Sequence, residues 1–269
     1  KARKKSTRHM AKPVILTFTD WYLPGYKAGG PVRSLANLTA HTCEHFHYRI
    51  VTRNTDYLSV KSYTEVPANT WVQRAPGVEA FYMSPTRIKP SAIAAMIRET
   101  PAELVYINGM YSFYFSILPS LYARGMHKPT LIAPRGMLSE QAFSIKKTRK
   151  MVFLQMARML SLYKKAHFHA TLAREKEDIT SRIGVTPSRI HVAPNLFRPL
   201  QDEQMPRREK TPGKLYMISI ARIAPEKNTL YALQRLKDIP PGHDITLHLY
   251  GSIYDKAYWN KCREVINDL

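Results

Sequence analysis

Short apolar runs rich in β-branched and aromatic residues recur along this chain, each followed by a longer amphipathic or Ala-rich stretch. That alternation is the strongest constraint on the fold, because parallel strands can be joined only through crossovers of a dozen or more residues. Strands are expected at Val14–Thr19, Tyr48–Thr52, Leu104–Asn108, Thr130–Ala133, Phe168–Leu172 and Arg189–Ala193. Helices fall between them, at Pro31–Cys43, Ser91–Glu99, Phe113–Arg124, Glu140–Lys165 and Arg174–Ile183. Trp71–Arg74 and Val78–Met83 read as short extra strands in the less regular stretch from Tyr57 to Pro90. The pattern predicts an α/β fold, a doubly wound parallel sheet of the nucleotide-binding type, whose ligands gather at the carboxyl ends of the strands.

With 269 residues, about two domains are expected. The boundary is marked by Pro194, Pro199, Pro206 and Pro212, interspersed with Arg207, Arg208, Glu209 and Lys210, a composition that reads as a linker. Beyond it a strand at Leu215–Ala221, a helix at Lys227–Leu236, a strand at Ile245–Tyr250 and a helix at Tyr254–Asn267 begin a second Rossmann-like unit. Two strands leave an unpaired edge and an uncovered face, so a truncated C-terminal domain is expected. The organisation anticipated is an N-terminal domain at 10–198, a linker at 199–213 and a partial C-terminal domain at 214–269. Lys1, Arg3, Lys4, Lys5 and Arg8 form a basic leader, and residues 1–9, vector-derived or upstream of a start at Met10, are kept out of the fold. The apolar run after them, Val14–Phe18, is too short for a secretory signal. The uncharged stretch Leu104–Ala123 is interrupted by Asn108, Gly109, Ser112, Ser116, Pro119 and Ser120, which argues against a bilayer span.

Charge narrows the partners. Lys+Arg number 41 against 20 Asp+Glu, a net charge of +21, which must meet nucleic acid, an anionic membrane surface or a phosphorylated small molecule. Cys43 and Cys262 are too few for a disulfide scaffold and fit free thiols in a reducing cytosol. Walker A, G-x-G-x-x-G, H-E-x-x-H and G-x-S-x-G patterns are all missing, which removes support for kinase, metalloprotease and esterase readings. There is also no D-x-D, so a diphosphate would have to be neutralised by Arg, Lys and backbone N–H groups rather than by a carboxylate-held metal. His41, Cys43, His45 and His47 do not have the placement of a closed four-ligand site. His167 and His169, alternating on one strand, are expected to be one buried and one exposed.

Two turns have the chemistry for phosphate. The loop from Asp20 to Pro31 follows the first strand and opens the first helix, where Gly29 and Gly30 would let backbone N–H groups approach an oxyanion at the positive end of the helix dipole. An empty glycine turn is the alternative. Ser219–Asn228 occupies the matching place in the second unit, with Arg222 just past the strand and Lys227 in the first turn of the next helix, so that both could converge on one phosphate. A solvated basic turn explains the same residues when they are taken alone.

Six short pieces in order resemble the GT-B retaining glycosyltransferases, specifically glycosyltransferase family 4: Gly29-Gly30-Pro31, Asn108-Gly109, Pro134-Arg135-Gly136-Met137-Leu138, His169 to Glu175, Pro194-Asn195, and Ala221 to Asn228. The resemblance implies two Rossmann-like domains across a cleft, with acceptor on the first and nucleotide-sugar on the second. It makes Arg222 and Lys227, with Glu226 beside them, the group that grips the donor diphosphate and stabilises the departing nucleoside diphosphate. Gly29 and Gly30 would meet the reacting sugar and phosphate. Arg135, Asp20, Glu175 and Asn195 would lie on the acceptor side, although capping a helix start accounts for Glu175 equally well. Asn108 stands where many members carry His, which removes an imidazole from that strand end but leaves a hydrogen-bonding group. The family's pair of glutamates would lie beyond Leu269.

Gln141–Leu172 holds no acid and carries Lys146, Lys147, Arg149, Lys150, Arg158, Lys164 and Lys165. Val152, Met156, Met159, Leu160 and Tyr163 fall on one helical face, expected to pack on the sheet, leaving a basic patch for anionic lipid headgroups. The reading implied is a metal-independent hexosyltransferase using a UDP- or GDP-linked sugar, without a cofactor. Its acceptor would be a glycan or a lipid-linked polysaccharide or lipopolysaccharide at the inner face of a bacterial cytoplasmic membrane. The competing reading is a non-catalytic basic module for anionic lipid or nucleic acid. An RNP-like signature is missing, which weighs against nucleic acid.

Overall fold

The computed structural model describes residues 12–144, 147–198, 209–240 and 242–269. The basic leader, Lys146 and most of the proline-rich linker lie outside the described residues. Contacts divide the chain into two compact units, residues 1–201 and 202–269.

The first unit is an eight-stranded sheet. Its strands are β1 (Val14–Thr19), β2 (His47–Arg53), β3 (Trp71–Ala75), β4 (Val78–Met83), β5 (Leu104–Asn108), β6 (Thr130–Ala133), β7 (His167–Ala170) and β8 (Ile190–Val192). They lie in the order β3-β4-β2-β1-β5-β6-β7-β8, all parallel except the β3–β4 hairpin at one edge. The helices are α1 (Gly30–Thr42), α2 (Pro90–Glu99), α3 (Leu118–Gly125), α4 (Glu140–Ser144), α5 (Lys147–Met159) and α6 (Ala173–Ile183). Because side chains alternate across a strand, β1 sends Leu16 and Phe18 to one face and Ile15 to the other. The first face meets Ile93 and Ile97 of α2, Leu154 and Ala157 of α5 and Ile179 of α6, and the second meets Leu35 of α1. Both faces are therefore dry over the central strands, which is why those strands read as continuous apolar runs.

Between Phe113 and Lys165 the first expected helix is present but opens differently, and two expectations fail. The helix expected at Phe113–Arg124 begins as a π-helical turn, Phe113–Ile117, in which the N–H groups of Ser116 and Ile117 both donate to Ser112 O. The helix expected at Glu140–Lys165 is two helices, and the second stops at Met159 because Ser161 takes a left-handed conformation with φ 49°. The supposed core stripe is also reversed. Val152, Met156, Met159 and Leu160 are exposed, whereas Leu154 and Ala157 pack inward and Tyr163 reaches the core only from the turn after the helix.

The second unit pairs β9 (Lys214–Ile220) with β10 (Asp244–Tyr250) in parallel, covered by α7 (Thr229–Lys237) and α8 (Lys256–Asn267). Ile223, Ala224, Leu233 and Cys262 form its buried centre, while Ile218 and Ile220 of β9 are exposed. Asp255 caps α8 by accepting from Tyr258 N–H at 2.9 Å, and Tyr258 OH accepts from Leu230 N–H at 2.8 Å, joining α8 to α7. Gly251 fixes the approach of the two strand ends: a Cβ there would sit 1.9 Å from Ala221 O, against backbone that has no freedom to move aside. Replacing Gly251 with Ala is therefore expected to cost about 1–3 kcal/mol through overpacking. Urea unfolding should register this as a lower midpoint, and an unchanged midpoint would contradict the close approach.

Candidate functional site

β1 has β2 on one side and β5 on the other, so the winding reverses between β1 and β5 and a crevice opens outside their carboxyl ends. Thr19 and Asn108 end these strands, with Asn108 Nδ2 donating to Thr19 Oγ1 at 3.3 Å. β6 then runs into Pro134-Arg135-Gly136-Met137, a turn closed by Met137 N–H on Pro134 O at 3.2 Å. Both central residues have positive φ, 55° at Arg135 and 74° at Gly136, a conformation that costs an arginine energy. It aims the guanidinium back over the strand ends. Nε donates to Asn108 Oδ1 at 2.7 Å, Nη1 to Asn195 Oδ1 at 2.8 Å and Nη2 to Tyr106 OH at 2.8 Å. The structure thus brings together Asn108, Arg135 and Asn195, three of the residues singled out from sequence.

The network continues through two residues that the sequence did not assign to it. Tyr106 OH lies 2.8 Å from His169 Nδ1, and His169 Nε2 lies 2.9 Å from Ala193 O. A carbonyl only accepts, so Nε2 carries the proton and Nδ1 accepts from Tyr106, which itself accepts from Arg135. The Tyr106 hydroxyl thus both accepts from Arg135 and donates to His169, and both ring nitrogens of His169 are engaged. Burial lowers the His169 pKa, opposed by its bond to Ala193 O and assisted by the Arg135 charge. Burial also pushes the Tyr106 hydroxyl up to about 12. An imidazole therefore enters the site from β7 although Asn108 occupies the end of β5. His169 is half-buried and His167, on the same face of β7, is exposed against His191 at 2.9 Å.

Glu175 is only 6% exposed and ties two loops together. Its Oε1 accepts from Gly136 N–H at 2.6 Å, and its Oε2 accepts from Thr171 N–H and Thr171 Oγ1–H, both at 2.7 Å. Its place is beneath the Arg135 turn, as a support and a helix-start cap. Asp20 is likewise engaged within the protein, accepting from Arg53 Nε at 3.0 Å and Ser112 Oγ at 2.8 Å, so its carboxylate orders the strand ends. Gly29 caps α1 with φ 72° and no side-chain partner, Pro31 follows in the first turn, and a Cβ at Gly29 or Gly30 would meet nothing within 4 Å, so that helix start is open. The preceding loop is held by Asp56, whose Oδ2 accepts from Tyr26 and Lys27 N–H at 3.1 and 3.2 Å.

At the carboxyl ends of β2 and β4 lies a cavity of about 220 Å³ lined in part by Arg53, Asn54, Met83 and Tyr114. Asn54 is 5% exposed and among the described residues its Oδ1 has no hydrogen-bond partner, leaving a buried acceptor for a donor group. Among the described residues no cluster suited to a metal ion occurs. His41 instead donates to Phe197 O at 2.9 Å, and His47 lies 3.4 Å from Glu79.

In the second unit Arg222 follows β9 and its Nη2 meets Glu226 Oε1 at 2.8 Å, while its guanidinium lies over the Tyr254 ring at 4.8 Å. Lys227 is in a 3-10 turn, Pro225–Lys227, two residues ahead of α7 rather than in its first turn, because Asn228 interposes a left-handed residue at φ 55°. Glu226 is therefore a partner that orients Arg222. Among the described residues the Lys227 ammonium has no ion-pair partner.

Solved structures share this architecture. HepE of Anabaena, in complex with UDP and glucose, matches with a TM-score of 0.62 at 15% identity over 95% of this chain and 66% of that one. A Listeria monocytogenes protein described as a UDP-N-acetylglucosamine 2-epimerase matches at 0.50 and 14% identity over 95% and 67%. MnaA of S. aureus, solved with UDP, matches at 0.50 and 12% over 96% and 67%. The fold is GT-B-like. At these identities the likeness is one of fold, and the chain spans just under two thirds of the length of HepE. No protein-family model matches the chain, and no curated protein sequence matches it.

The His169 wiring has a pH consequence. Its folded pKa lies below the unfolded value of about 6.5, so below that pH the unfolded chain binds a proton that the folded chain refuses. This stability increment is complete above about pH 6.5 and is lost as pH falls toward the folded value. Thermal unfolding between about pH 7 and pH 5 should decline more steeply for the native chain than for His169→Gln. Equal slopes would contradict a buried, neutral imidazole.

Proposed function

We propose that the protein transfers a hexose from a nucleotide-sugar to a hydroxyl-bearing acceptor. The observation that carries this reading is Arg222 and Lys227 on one strand-to-helix turn at the carboxyl end of β9, in a chain whose fold is that of HepE, a protein solved with UDP-glucose. Arg222 is already oriented by Glu226 and Tyr254. A diphosphate would replace one carboxylate with two phosphates, at little cost in reorganisation, and the two cations would stabilise the charge that grows on the leaving group. The missing D-x-D and the available Arg and Lys support a metal-independent reaction.

On the acceptor side, the Asn54 Oδ1 orphan in its cavity offers a bond to a sugar hydroxyl, and the open Gly29–Gly30 helix start offers backbone N–H groups to an oxyanion. Asn108, locked between Thr19 and Arg135, is a positioning group rather than a proton carrier. In a retaining front-face reaction the departing phosphate accepts the acceptor proton, which removes the need for a base at that position. We read the acceptor as a lipid-linked glycan of bacterial polysaccharide or lipopolysaccharide synthesis, handled at the inner face of the cytoplasmic membrane, a reading that rests on the family resemblance. The exposed Lys147, Arg149, Lys164 and Lys165 fit an anionic surface. Lys150 does not belong to that patch, because its ammonium turns inward to Ala142 O and the Tyr111 ring.

Calorimetric titration tests the donor assignment. UDP or GDP should bind the full chain, and Arg222→Ala or Lys227→Ala should each weaken binding roughly tenfold or more, as expected for a charge-assisted hydrogen bond. Absence of heat with both nucleotides, or affinities indifferent to both substitutions, would contradict it.

A further inference from the structure

The cavity at the carboxyl ends of β2 and β4 lies one strand along from the β1–β5 crevice, because β2 is the neighbour of β1 in the sheet. Its volume of about 220 Å³ falls short of the roughly 300–1,000 Å³ usual for a whole ligand, so it suits one ring or one substituent of a larger molecule.

Asn54 forms the polar side. The backbone fixes it from two directions, with Asn54 N–H donating to Met83 O at 3.0 Å and Tyr63 N–H donating to Asn54 O at 2.8 Å. Its side chain is 5% exposed, yet among the described residues neither end of the carboxamide has a hydrogen-bond partner. An amide buried this deeply and left unmatched is unfavourable, and a ligand that supplies the missing partner relieves the penalty. Arg53 also lines the cavity. Its Nε is held by Asp20 Oδ1 at 3.0 Å and its guanidinium lies over the Phe115 ring at 4.8 Å, while among the described residues its two terminal nitrogens make no hydrogen bond. Because the Asp20 carboxylate balances the guanidinium, Arg53 offers N–H donors with little net charge, which favours a carbonyl over an anion.

The remaining wall is apolar. Met83 ends β4 and is buried, Pro85 opens the 3-10 turn that follows, Ile88 is half-buried just after it, and Tyr114 comes from the π-helical turn. A hydroxyl would satisfy Asn54 Oδ1 and leave this wall unused. A carboxylate has no donor for Oδ1. An acetamido group has an N–H for Oδ1, a carbonyl for Arg53 and a methyl for the space between Met83 and Ile88.

We propose that this cavity receives the acetamido group of a 2-acetamido-2-deoxy sugar, with Asn54 as the residue that selects it. The inference rests on the reading of the first unit as the acceptor side of a sugar transferase, and it narrows the acceptor from hydroxyl-bearing to N-acetylated glycans.

Saturation-transfer NMR on the full chain tests this, with the methyl glycosides of N-acetylglucosamine, N-acetylgalactosamine and N-acetylmannosamine set against those of glucose, galactose and mannose. At least one N-acetylated sugar should bind roughly tenfold or more tightly than its parent, with its acetyl methyl receiving the strongest saturation. Asn54→Leu, similar in size, removes a carboxamide that bonds to nothing among the described residues, so it should abolish the preference without lowering the thermal midpoint. Ile88→Phe, which fills the methyl space from the apolar side, should abolish the preference with Asn54 still in place. Titration of UDP into the native chain separates the two assignments. UDP binding with no preference for any N-acetylated sugar, or a preference that survives either substitution, would overturn the inference and leave the donor reading standing. The expected sugar preference without UDP binding would uphold the subsite and count against the donor reading alone.

Discussion

The Arg135 guanidinium, with one hydrogen bond from each of its three nitrogens to Asn108, Tyr106 and Asn195, is the interaction on which the upper edge of the first unit depends. It ties β5, the turn after β6 and the segment after β8 into one rigid patch, and through Tyr106 it extends to His169 on β7. A guanidinium held so close to a sheet edge is tolerable only if its donors are matched, and here three neutral acceptors match three of them. Those three partners carry no charge, and the Glu175 carboxylate beneath the turn accepts from Gly136 N–H rather than from the guanidinium. The field of the guanidinium remains available at the mouth of the switch-point crevice, where an anionic or hydroxyl-rich ligand would arrive.

The left-handed backbone at Arg135 makes sense only within this network. An arginine at φ 55° is strained, and the strain is offset by Glu175 accepting from the next residue's N–H and by the three bonds the side chain gains. The two units thus use different arrangements at corresponding places. In the first, a guanidinium is fixed by three neutral groups. In the second, Arg222 is held by a carboxylate and a ring, on a turn with Lys227 beside it that has no ion-pair partner among the described residues. The first arrangement suits orientation of a ligand, and the second suits exchange of one anion for another.

Much of this was legible in the sequence because the informative signals are local. Apolar runs placed β1, β5 and β6 at their observed limits, and turn residues at strand ends pointed to Asn108, Arg135, Asn195 and Arg222. The failures have physical causes. Tyr106 and His169 belong to different strands, and only the pairing order brings them to Arg135. Asp20 looked available because nothing near it in sequence reveals Arg53 and Ser112 as partners. Asp56 and Asn54 sit in an irregular loop whose course no periodicity encodes. The α5 stripe was misread because an apolar helical face says that something covers it, not that the sheet does.

The wiring of the network is open to direct measurement by nitrogen-15 NMR of the His169 ring. The structure requires the neutral tautomer protonated at Nε2, with Nδ1 shifted as an acceptor and no titration near the ordinary histidine pKa. A ring protonated at Nδ1, or one that titrates like a free imidazole, would mean that Tyr106 does not donate to it and that the chain of bonds from Arg135 is not formed.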